Sequence, residues 1–207
     1  MKPPPLLGIT VVAIEQAVAG PFATRQLADL GARVIKIERP DGGDFARRYD
    51  TTVDGQSSYF VWLNRSKESL TLDLKSPRGR DILEQLLPGA DVFVQNLKPG
   101  SLAKLGFAFE RLRKDYPRLI CCSISGYGES GPYAARKAYD LLVQAESGLA
   151  SVTGGPDAPA RVGFSVADIG AGMNAYEAIL EALIARGRTG EGAEISVSLF
   201  DAMAEWM

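Results

Sequence analysis

The stretch Ile9–Arg39, ITVVAIEQAVAGPFATRQLADLGARVIKIER, decides the fold because it predicts a strand, a helix and a second strand in immediate succession. Apolar residues dominate Ile9–Ile14 and Arg33–Arg39, and helical periodicity fills Pro21–Leu30 between them. A proline opens that helix with a suitable φ, and Gly31 supplies the stop. Such a unit predicts two neighbouring parallel strands joined by a crossover helix.

The same alternation continues along the chain and predicts an α/β fold with a mostly parallel sheet flanked by helices. The further predicted strands are Ser69–Leu74, Asp91–Gln95, Leu119–Ser125 and Ala193–Leu199. The further predicted helices are Pro77–Leu87, a short one near Leu102, Glu110–Lys114, Tyr139–Leu149, Ser165–Arg186 and an amphipathic start at Phe200–Met207. Loops are expected at Pro40–Ser57 and Gly126–Arg136, where glycine, proline and aspartate cluster.

Length and composition limit the function classes. With 207 residues and 46% hydrophobic content, the chain can bury the core of one domain. Its net charge of −2 offers no overall attraction for nucleic acid or acidic membranes, so a polyanionic ligand needs a local basic cluster. Adjacent Cys121 and Cys122 indicate a reducing compartment, and no signal peptide or membrane-spanning run is predicted. We therefore expect a cytoplasmic protein.

The chain contains no histidine, which excludes several kinds of catalytic site. A Ser-His-Asp triad, a Cys-His dyad and a histidine-ligated metal site cannot be built from this chain alone. Two adjacent cysteines cannot supply a thiolate zinc site either. No metal site is predicted.

Asp168 is the leading candidate for chemistry, in the segment RVGFSVADIGAGM at Arg161–Met173. Ser165 stands three residues earlier, the spacing of a capping box, so Asp168 could simply cap a helix. Gly170 and Gly172 each cost roughly 1 kcal/mol in a helix interior, and capping does not explain them. They predict that something approaches this backbone closely. An ionised carboxylate beside bare backbone suits a nucleophile that attacks an activated acyl group.

Dinucleotide binding is a competing interpretation, since Gly170, Gly172 and Ala175 match the spacing G-x-G-x-x-A. The match follows a helix-entry signal instead of a buried strand, and it lies far from the first strand. Only one glycine follows that first strand. Without a glycine turn, Glu38 at the end of the second strand is expected to be a solvated or paired surface charge and not a ribose ligand. A nicotinamide enzyme is disfavoured.

Basic residues follow or flank the predicted carboxyl ends of several strands. They are Arg39, Lys75, Lys98 and Lys104. Open α/β sheets bind ligands at this edge. Together these side chains could form a cradle for a pyrophosphate or a 3′-phosphate.

Five segments in order resemble the class III coenzyme A transferases, the CaiB/BaiF-like family of formyl-CoA and carnitine-CoA transferases. They are AGPFATRQLADLGARVIKIERPDGGD (Ala19–Asp44), NRSKESLTLDLKSPRG (Asn64–Gly79), ADVFVQNLKPGSLAKLG (Ala90–Gly106), SGYGESGPY (Ser125–Tyr133) and the Asp168 segment. The resemblance implies a Rossmann-like large domain, with residues 1–207 forming its amino-terminal, CoA-binding and nucleophile-bearing part. The family's small domain and return segment would be absent, and the piece alone is expected to be inactive. An interlocked homodimer is implied for full-length members.

For Asp168, the resemblance implies the role of the family's nucleophilic aspartate. Its carboxylate would attack an acyl-CoA thioester and form a mixed anhydride, then an aspartyl-CoA thioester, before CoA passes to a free carboxylic acid. The carboxylate must be ionised for this attack, and a helix amino terminus favours the anion. No permanently bound cofactor is implied, because CoA and acyl-CoA are substrates. Neither nucleic acid nor membrane is expected as a partner.

The resemblance also implies a set of CoA contacts at the turns that follow the strands. They are Val18, Ala19, Arg39, Leu72, Asp73, Leu74, Lys75, Asn96, Leu97, Lys98, Lys104, Lys137, Ala138, Tyr139 and Asp140. The backbone amides of Val18 and Ala19 could serve whatever their side chains are. Lys98 and Lys104 match less firmly, because lysine cannot form the bidentate phosphate pair that arginine can.

Two alternatives to CoA transfer remain. α-Methylacyl-CoA racemases of the same superfamily use this aspartate with a histidine, but the corresponding position here is Tyr139. Tyrosine has a reference pKa near ~10 and is a poor base at neutral pH, which disfavours the racemase. The other alternative is a non-catalytic CoA-binding module. The donor and acceptor acids are not predicted.

Overall fold

A six-stranded parallel sheet organises the protein in the computed structural model, which describes residues 2–207. Its strands are β1 Thr10–Ile14, β2 Arg33–Glu38, β3 Lys67–Thr71, β4 Val92–Gln95, β5 Ile120–Ser125 and β8 Glu194–Ser198. Their order is β3-β2-β1-β4-β5-β8, and every neighbouring pair is parallel. The order reverses between β1 and β4, as in doubly wound Rossmann-like folds. The predicted fold class is confirmed.

Helices cover both faces of the sheet among these residues. They are α1 Ala19–Asp29, α2 Ser58–Asn64, α3 Pro77–Leu86, α4 Ser101–Lys104, α5 Phe109–Asp115, α6 Asp140–Glu146, α7 Leu149–Val152, α8 Val166–Thr189 and α9 Leu199–Trp206. Two short 3-10 turns, Phe45–Arg48 and Leu87–Gly89, and a hairpin of β6 Gly154–Gly155 with β7 Ala158–Pro159 complete the described elements. No helix within residues 2–207 is long and apolar enough to cross a membrane.

Alternate residues of the central strand enter two separate cores. Val11 and Ala13 of β1 pack in the core beneath α1, α8 and α9, whereas Val12 and Ile14 pack in the core beneath α3, α4 and α5. This two-sided burial follows from the strand period of two. It also explains why the central strands are nearly continuous apolar runs in the sequence.

The third strand corrects one prediction, because β3 begins at Lys67 and not at Ser69. Its first residues are polar for a structural reason: Lys67 Nζ lies 2.7 Å from the Glu15 carboxylate, and Glu68 pairs with Arg33. Because these paired residues are charged, the start of the strand shows no hydrophobic pattern in the sequence. The strand ends before Leu72 because the Asp73 side chain accepts a hydrogen bond from the backbone N–H of Lys75, at 2.9 Å, and closes a turn.

The predicted helix Tyr139–Leu149 is also corrected. It divides into α6 and α7, because Gly148 adopts φ +87° and ends the first helix. Helix α2 was not predicted; the Ser57 side chain caps it by accepting from the Phe60 N–H at 3.4 Å. The small β6–β7 hairpin was not predicted either.

Helix packing explains Gly170 and Gly172 of α8. A Cβ at Gly172 would lie 2.8 Å from the backbone oxygen of Ala19 in α1. A Cβ at Gly170 would lie 2.7 Å from the Met203 side chain in α9. The prediction of a close approach is therefore correct, but neighbouring helices make it on both sides. These glycines are not evidence for a ligand.

Candidate active site

A cleft of about 760 Å³ opens at the carboxyl ends of β1, β4 and β5. The residues between β1 and α1 form one wall, Asn96–Pro99 after β4 form another, and Ser125–Gly126 close the side at β5. This position, where the strand order reverses, is where open α/β sheets bind ligands. The cleft extends between α6 and the start of α8, and Asp168 lines it there.

Asp168 is half-buried in the first turn of α8. The predicted capping box is wrong, because the Ser165 side chain makes no capping hydrogen bond. Asp140, at the start of α6, provides the cap: one carboxylate oxygen accepts from the N–H groups of Ala167, at 2.7 Å, and Asp168, at 3.3 Å. The cap therefore comes from another helix, 28 residues away in sequence.

The acidity of Asp168 also differs from the sequence expectation. Burial, and then the negative charge of Asp140, raise the pKa of Asp168 to about 7. The amide groups at the helix terminus, which would favour the Asp168 anion, are engaged by Asp140 instead. Asp168 is thus poised to exchange a proton near neutral pH, where its carboxyl group is only partly ionised.

The turn between β1 and α1 is held from two directions. Ala17 adopts φ +62°, an uncommon conformation for a residue with a Cβ, and its N–H donates to Asp44 at 3.0 Å. Asn96 binds both backbone groups of Gln16, accepting from its N–H at 2.9 Å and donating to its carbonyl at 2.8 Å. The wall of the cleft beside α1 is therefore fixed by side chains from two other loops.

Four charged side chains are buried beneath that turn. Lys36 Nζ donates to Asp44 at 2.9 Å and lies 3.6 Å from Glu15. Lys67 lies 2.7 Å from Glu15. Although burial alone would raise it, the pKa of Glu15 is lowered by Lys67 and Lys36. Two anions and two cations thus balance in a buried cluster, which anchors Asp44 and the turn above it.

A second pocket of about 350 Å³ adjoins the cleft at Gln16 and Leu97, which line both. It lies over the ends of β1, β2 and β3. Its lining includes Arg39, Lys75 and Lys104, whose side chains are exposed. Arg39 also lies 3.2 Å from the exposed Asp41 carboxylate. An elongated ligand can follow the sheet edge from these cations to Asp168.

The structure brings every predicted site residue to one of these two cavities. The cleft is lined by Val18, Ala19, Asn96, Leu97, Lys98, Lys137, Ala138, Tyr139, Asp140 and Asp168. The second pocket is lined by Arg39, Leu72, Asp73, Leu74, Lys75, Leu97 and Lys104. These positions come from seven separate parts of the chain, yet they form one continuous edge.

Several lining residues were missed by sequence reasoning. Tyr49 and Tyr59 come from the long loop after β2 and from α2, and their rings pack edge to face 5.7 Å apart. Burial, followed by the charges of Asp44 and Asp168, raises the pKa of Tyr49 to about 12. Its hydroxyl therefore stays protonated and can donate a hydrogen bond into the cleft. Arg161, just before α8, also lines the cleft. The signal available in the sequence was one tyrosine within the predicted loop Pro40–Ser57 and a second just after it.

No group of three or more His, Cys, Asp or Glu side chains in residues 2–207 is arranged to hold a metal ion. The two cysteines are free and buried in β5. The charged side chains that line the cleft are those of Lys98, Arg136, Lys137, Asp140, Arg161 and Asp168.

Comparison with known families gives an independent result. Residues 6–207 match the family model described as CoA-transferase family III. The chain is 47% identical over 199 residues to an acetyl-CoA:oxalate CoA-transferase of Acetobacter aceti, covering 95% of this chain and 51% of that protein. It is 43% identical over 197 residues to the succinyl-CoA:glutarate CoA-transferase of Mus musculus, covering 94% of this chain and 45% of that protein.

A solved structure agrees with the fold. The chain superposes on a CAIB/BAIF family protein from Brucella suis with a TM-score of 0.93 and 41% sequence identity, covering 99% of this chain and 55% of that one. The chain therefore spans about half the length of the relatives that it matches.

Proposed function

Because the chain belongs to CoA-transferase family III, we propose that the whole protein transfers CoA from an acyl-CoA thioester to a free carboxylic acid, with Asp168 as nucleophile. One observation carries the proposal: Asp168 lines the same cleft that adjoins the cation-lined pocket at Gln16 and Leu97. A thioester could therefore reach Asp168 while the distant part of CoA occupies the neighbouring pocket.

The two cavities suggest how CoA would lie. We infer that its phosphates bind near Arg39, Lys75 and Lys104, since this chain has no overall positive charge to attract a polyanion. The pantetheine arm would pass between Gln16 and Leu97 into the cleft. The amino terminus of α1, at Val18 and Ala19, adds backbone amides, which favour anionic or carbonyl oxygens.

The reaction that we propose has four balanced steps and no redox change. Asp168 attacks the thioester carbonyl, so that a C–O bond forms, the C–S bond breaks and CoA thiolate leaves. The thiolate attacks the aspartyl carbonyl of the anhydride and releases the donor acid. The acceptor carboxylate then attacks the aspartyl-CoA thioester and displaces the thiolate again. Finally the thiolate attacks the acceptor's carbonyl, which yields the new acyl-CoA and regenerates the Asp168 carboxylate.

The site geometry fits such carboxylate chemistry. With a pKa of about 7, Asp168 is more basic than an ordinary carboxyl and is still substantially ionised at neutral pH. Tyr49, protonated at that pH, can donate to a substrate oxygen. The racemase alternative lacks its base, because Tyr139 stands at the histidine position and the sequence contains no histidine.

The proposal extends to assembly. The relatives are about twice as long as the matched segment. A protein of their length would add the small domain to this part of the large domain. We propose that such a protein forms the interlocked homodimer that the family resemblance implies, which light scattering of the whole protein would test.

Trapping of the acyl-enzyme tests the chemistry directly. The whole protein is incubated with a panel of acyl-CoAs and hydroxylamine, and its peptides are analysed by mass spectrometry. A hydroxamate on Asp168 is the expected product, and the matched variant Asp168→Asn should give none. Transfer of CoA to a free acid without any modification at Asp168 would contradict the proposed nucleophile. Binding of CoA without any transfer would support a non-catalytic module.

A further inference from the structure

The helix that carries Asp168 does not cap itself, and the group that does so belongs to α6. The Asp140 Oδ1 atom accepts from Ala167 N–H at 2.7 Å and from Asp168 N–H at 3.3 Å. The Ser165 hydroxyl occupies the capping position in sequence but makes no such bond. The orientation of the first turn of α8 therefore depends on Asp140.

The second oxygen of Asp140 is also engaged. It accepts from the Gln144 side-chain amide at 2.6 Å. The carbonyl oxygen of that amide accepts from the backbone N–H of Val162 at 2.7 Å, and Gln144 is fully buried. This chain of bonds links α6, the segment before α8 and the first turn of α8. Asp140 is thus held rigidly by groups on both sides.

Among the charged groups near Asp168, Asp140 is the principal anion. Tyr139 and Asp140 reach the cleft from the start of α6, and Tyr49 and Tyr59 reach it from the opposite wall. Helix α9 contributes Leu199 to the cleft, while its Asp201 carboxylate accepts from the Ser198 hydroxyl. The cations that line the same cleft are Lys98, Arg136, Lys137 and Arg161. Arg136 is paired with Glu146 at 3.4 Å.

We propose that Asp140 is a positioning residue for the nucleophile, which it serves by capping the Asp168 helix and by occupying the amides that would otherwise stabilise the Asp168 anion. This inference rests on the proposed function and deepens it. Both carboxylate oxygens of Asp140 already accept hydrogen bonds within the protein, so we expect only its backbone to contact a ligand. Its negative charge keeps Asp168 basic, and a more basic carboxylate is a stronger nucleophile toward a thioester carbonyl.

The test separates the charge of Asp140 from its hydrogen bonds. In Asp140→Asn the cap acceptor remains and the charge is lost, but the new amide faces the Gln144 amide donor. Hydrogen exchange at the Ala167 and Asp168 amides in this variant shows whether the cap is kept, so that the effect of the charge is measured with the cap in place. Asp140→Ala removes the cap entirely. Glu146→Gln removes one negative charge from α6 without touching the cap and is the control.

Three measurements on the whole protein give the answer. Carboxyl ¹³C NMR follows the titration of Asp168, with the signal assigned by its loss in Asp168→Asn. Hydrogen exchange reports the protection of the Ala167 and Asp168 amides. The acidic limb of the pH–rate profile for CoA transfer reports the same ionisation during catalysis.

We expect the pKa of Asp168 to fall by roughly one unit or more in Asp140→Asn, with amide protection kept. The acidic limb should move to lower pH by the same amount, and Glu146→Gln should move neither. Asp140→Ala should lose protection at both amides and at least roughly tenfold in kcat, a loss on the scale that misplacement of a catalytic group produces.

An unchanged Asp168 titration in Asp140→Asn, or full amide protection in Asp140→Ala, would overturn the inference. Failure of the proposed function would give a different result. If the titration and the exchange respond as expected but the parent protein transfers no CoA, Asp140 still positions Asp168 and the transferase assignment is wrong.

Discussion

At the scale of single residues, the acidity of Asp168 has a consequence for stability. Its pKa of about 7 in the folded protein exceeds the value near ~3.9 of an unfolded aspartate. The folded state therefore binds more protons than the unfolded state between those two values, and the contribution of Asp168 to stability falls as pH rises from about 4 to about 7. Above that window the protein bears the full cost of ionising this group.

Asp168→Asn should therefore raise the free energy of unfolding at pH 8, by about 1–2 kcal/mol once partial solvent access is allowed for. At pH 5 the variant and the parent should differ much less, because folded Asp168 is then mostly protonated. Urea denaturation at the two pH values measures both differences. A variant that is less stable than the parent at pH 8 would show that Asp168 has a structural role, as the simple capping interpretation requires.

The buried cluster beneath the β1–α1 turn predicts a large loss of stability. Glu15→Gln would leave Lys36 and Lys67 buried with Asp44 as their remaining anion. Breaking a buried ion pair in this way typically costs about 3–5 kcal/mol. Thermal or urea denaturation should show a loss on that scale.

The matched control for the buried cluster is Glu68→Gln, which breaks the exposed pair with Arg33 at 2.8 Å. Exposed pairs contribute little, so this variant should unfold at nearly the parent midpoint. Equal losses in Glu15→Gln and Glu68→Gln would mean that the buried cluster adds no stability beyond an ordinary surface pair.

At the scale of elements, the three glycines inside α8 make a graded test of helix packing. Apart from its chain neighbours and the nearby backbone of its own helix, a Cβ built at Gly187 would meet no atom of residues 2–207 within 4 Å, whereas a Cβ at Gly172 would meet the Ala19 carbonyl oxygen at 2.8 Å. Gly187→Ala should stabilise the protein by about 0.5–1 kcal/mol through helix propensity. Gly172→Ala should destabilise it despite the same gain, because backbone must shift.

Gly170→Ala lies between these cases, since the atom in the way is the flexible end of Met203 at 2.7 Å. We expect Gly187→Ala to be the most stable variant, Gly170→Ala the next and Gly172→Ala the least stable, measured as midpoints of denaturation under one condition. If Gly172→Ala were as stable as Gly187→Ala, the close contact between α1 and α8 would be looser than the structure indicates.

Elements whose apolar residues face a core were predictable from the sequence. The β1–α1–β2 unit falls within two residues of its predicted bounds, because its burial pattern follows its hydrophobic pattern. The start of β3 was not predictable, since the charge of the buried Lys67 is balanced by Glu15, 52 residues away. Likewise the Asp140 cap replaces the local Ser165 cap through a contact that no short sequence window contains.

At the scale of the whole molecule, sequence reasoning predicted positions that the structure brings to one edge of the sheet, but it did not predict their electrostatic environment. Parallel strands place all their carboxyl ends at one edge, so turns far apart in sequence had to meet there. The raised pKa of Asp168 depends on burial and on Asp140, and both arise only when α6 packs against α8. The aromatic wall at Tyr49 and Tyr59 comes from a loop and a helix without a strong periodic signal.

The joined cavities predict how the whole molecule binds CoA. Lys75 and Lys104 line the second pocket with exposed side chains, while Lys114 on α5 is exposed but lies outside both cavities. Lys75→Ala and Lys104→Ala should each raise the Kd for free CoA roughly three- to tenfold by calorimetry, since each removes one phosphate-directed cation. Lys114→Ala should leave the Kd unchanged.

Added salt should weaken CoA binding to the parent more than to either pocket variant, because each pocket variant has one cation fewer whose attraction for the phosphates salt can screen. A Kd that follows net charge alone, with Lys114→Ala equal to the others, would place the phosphates outside this pocket.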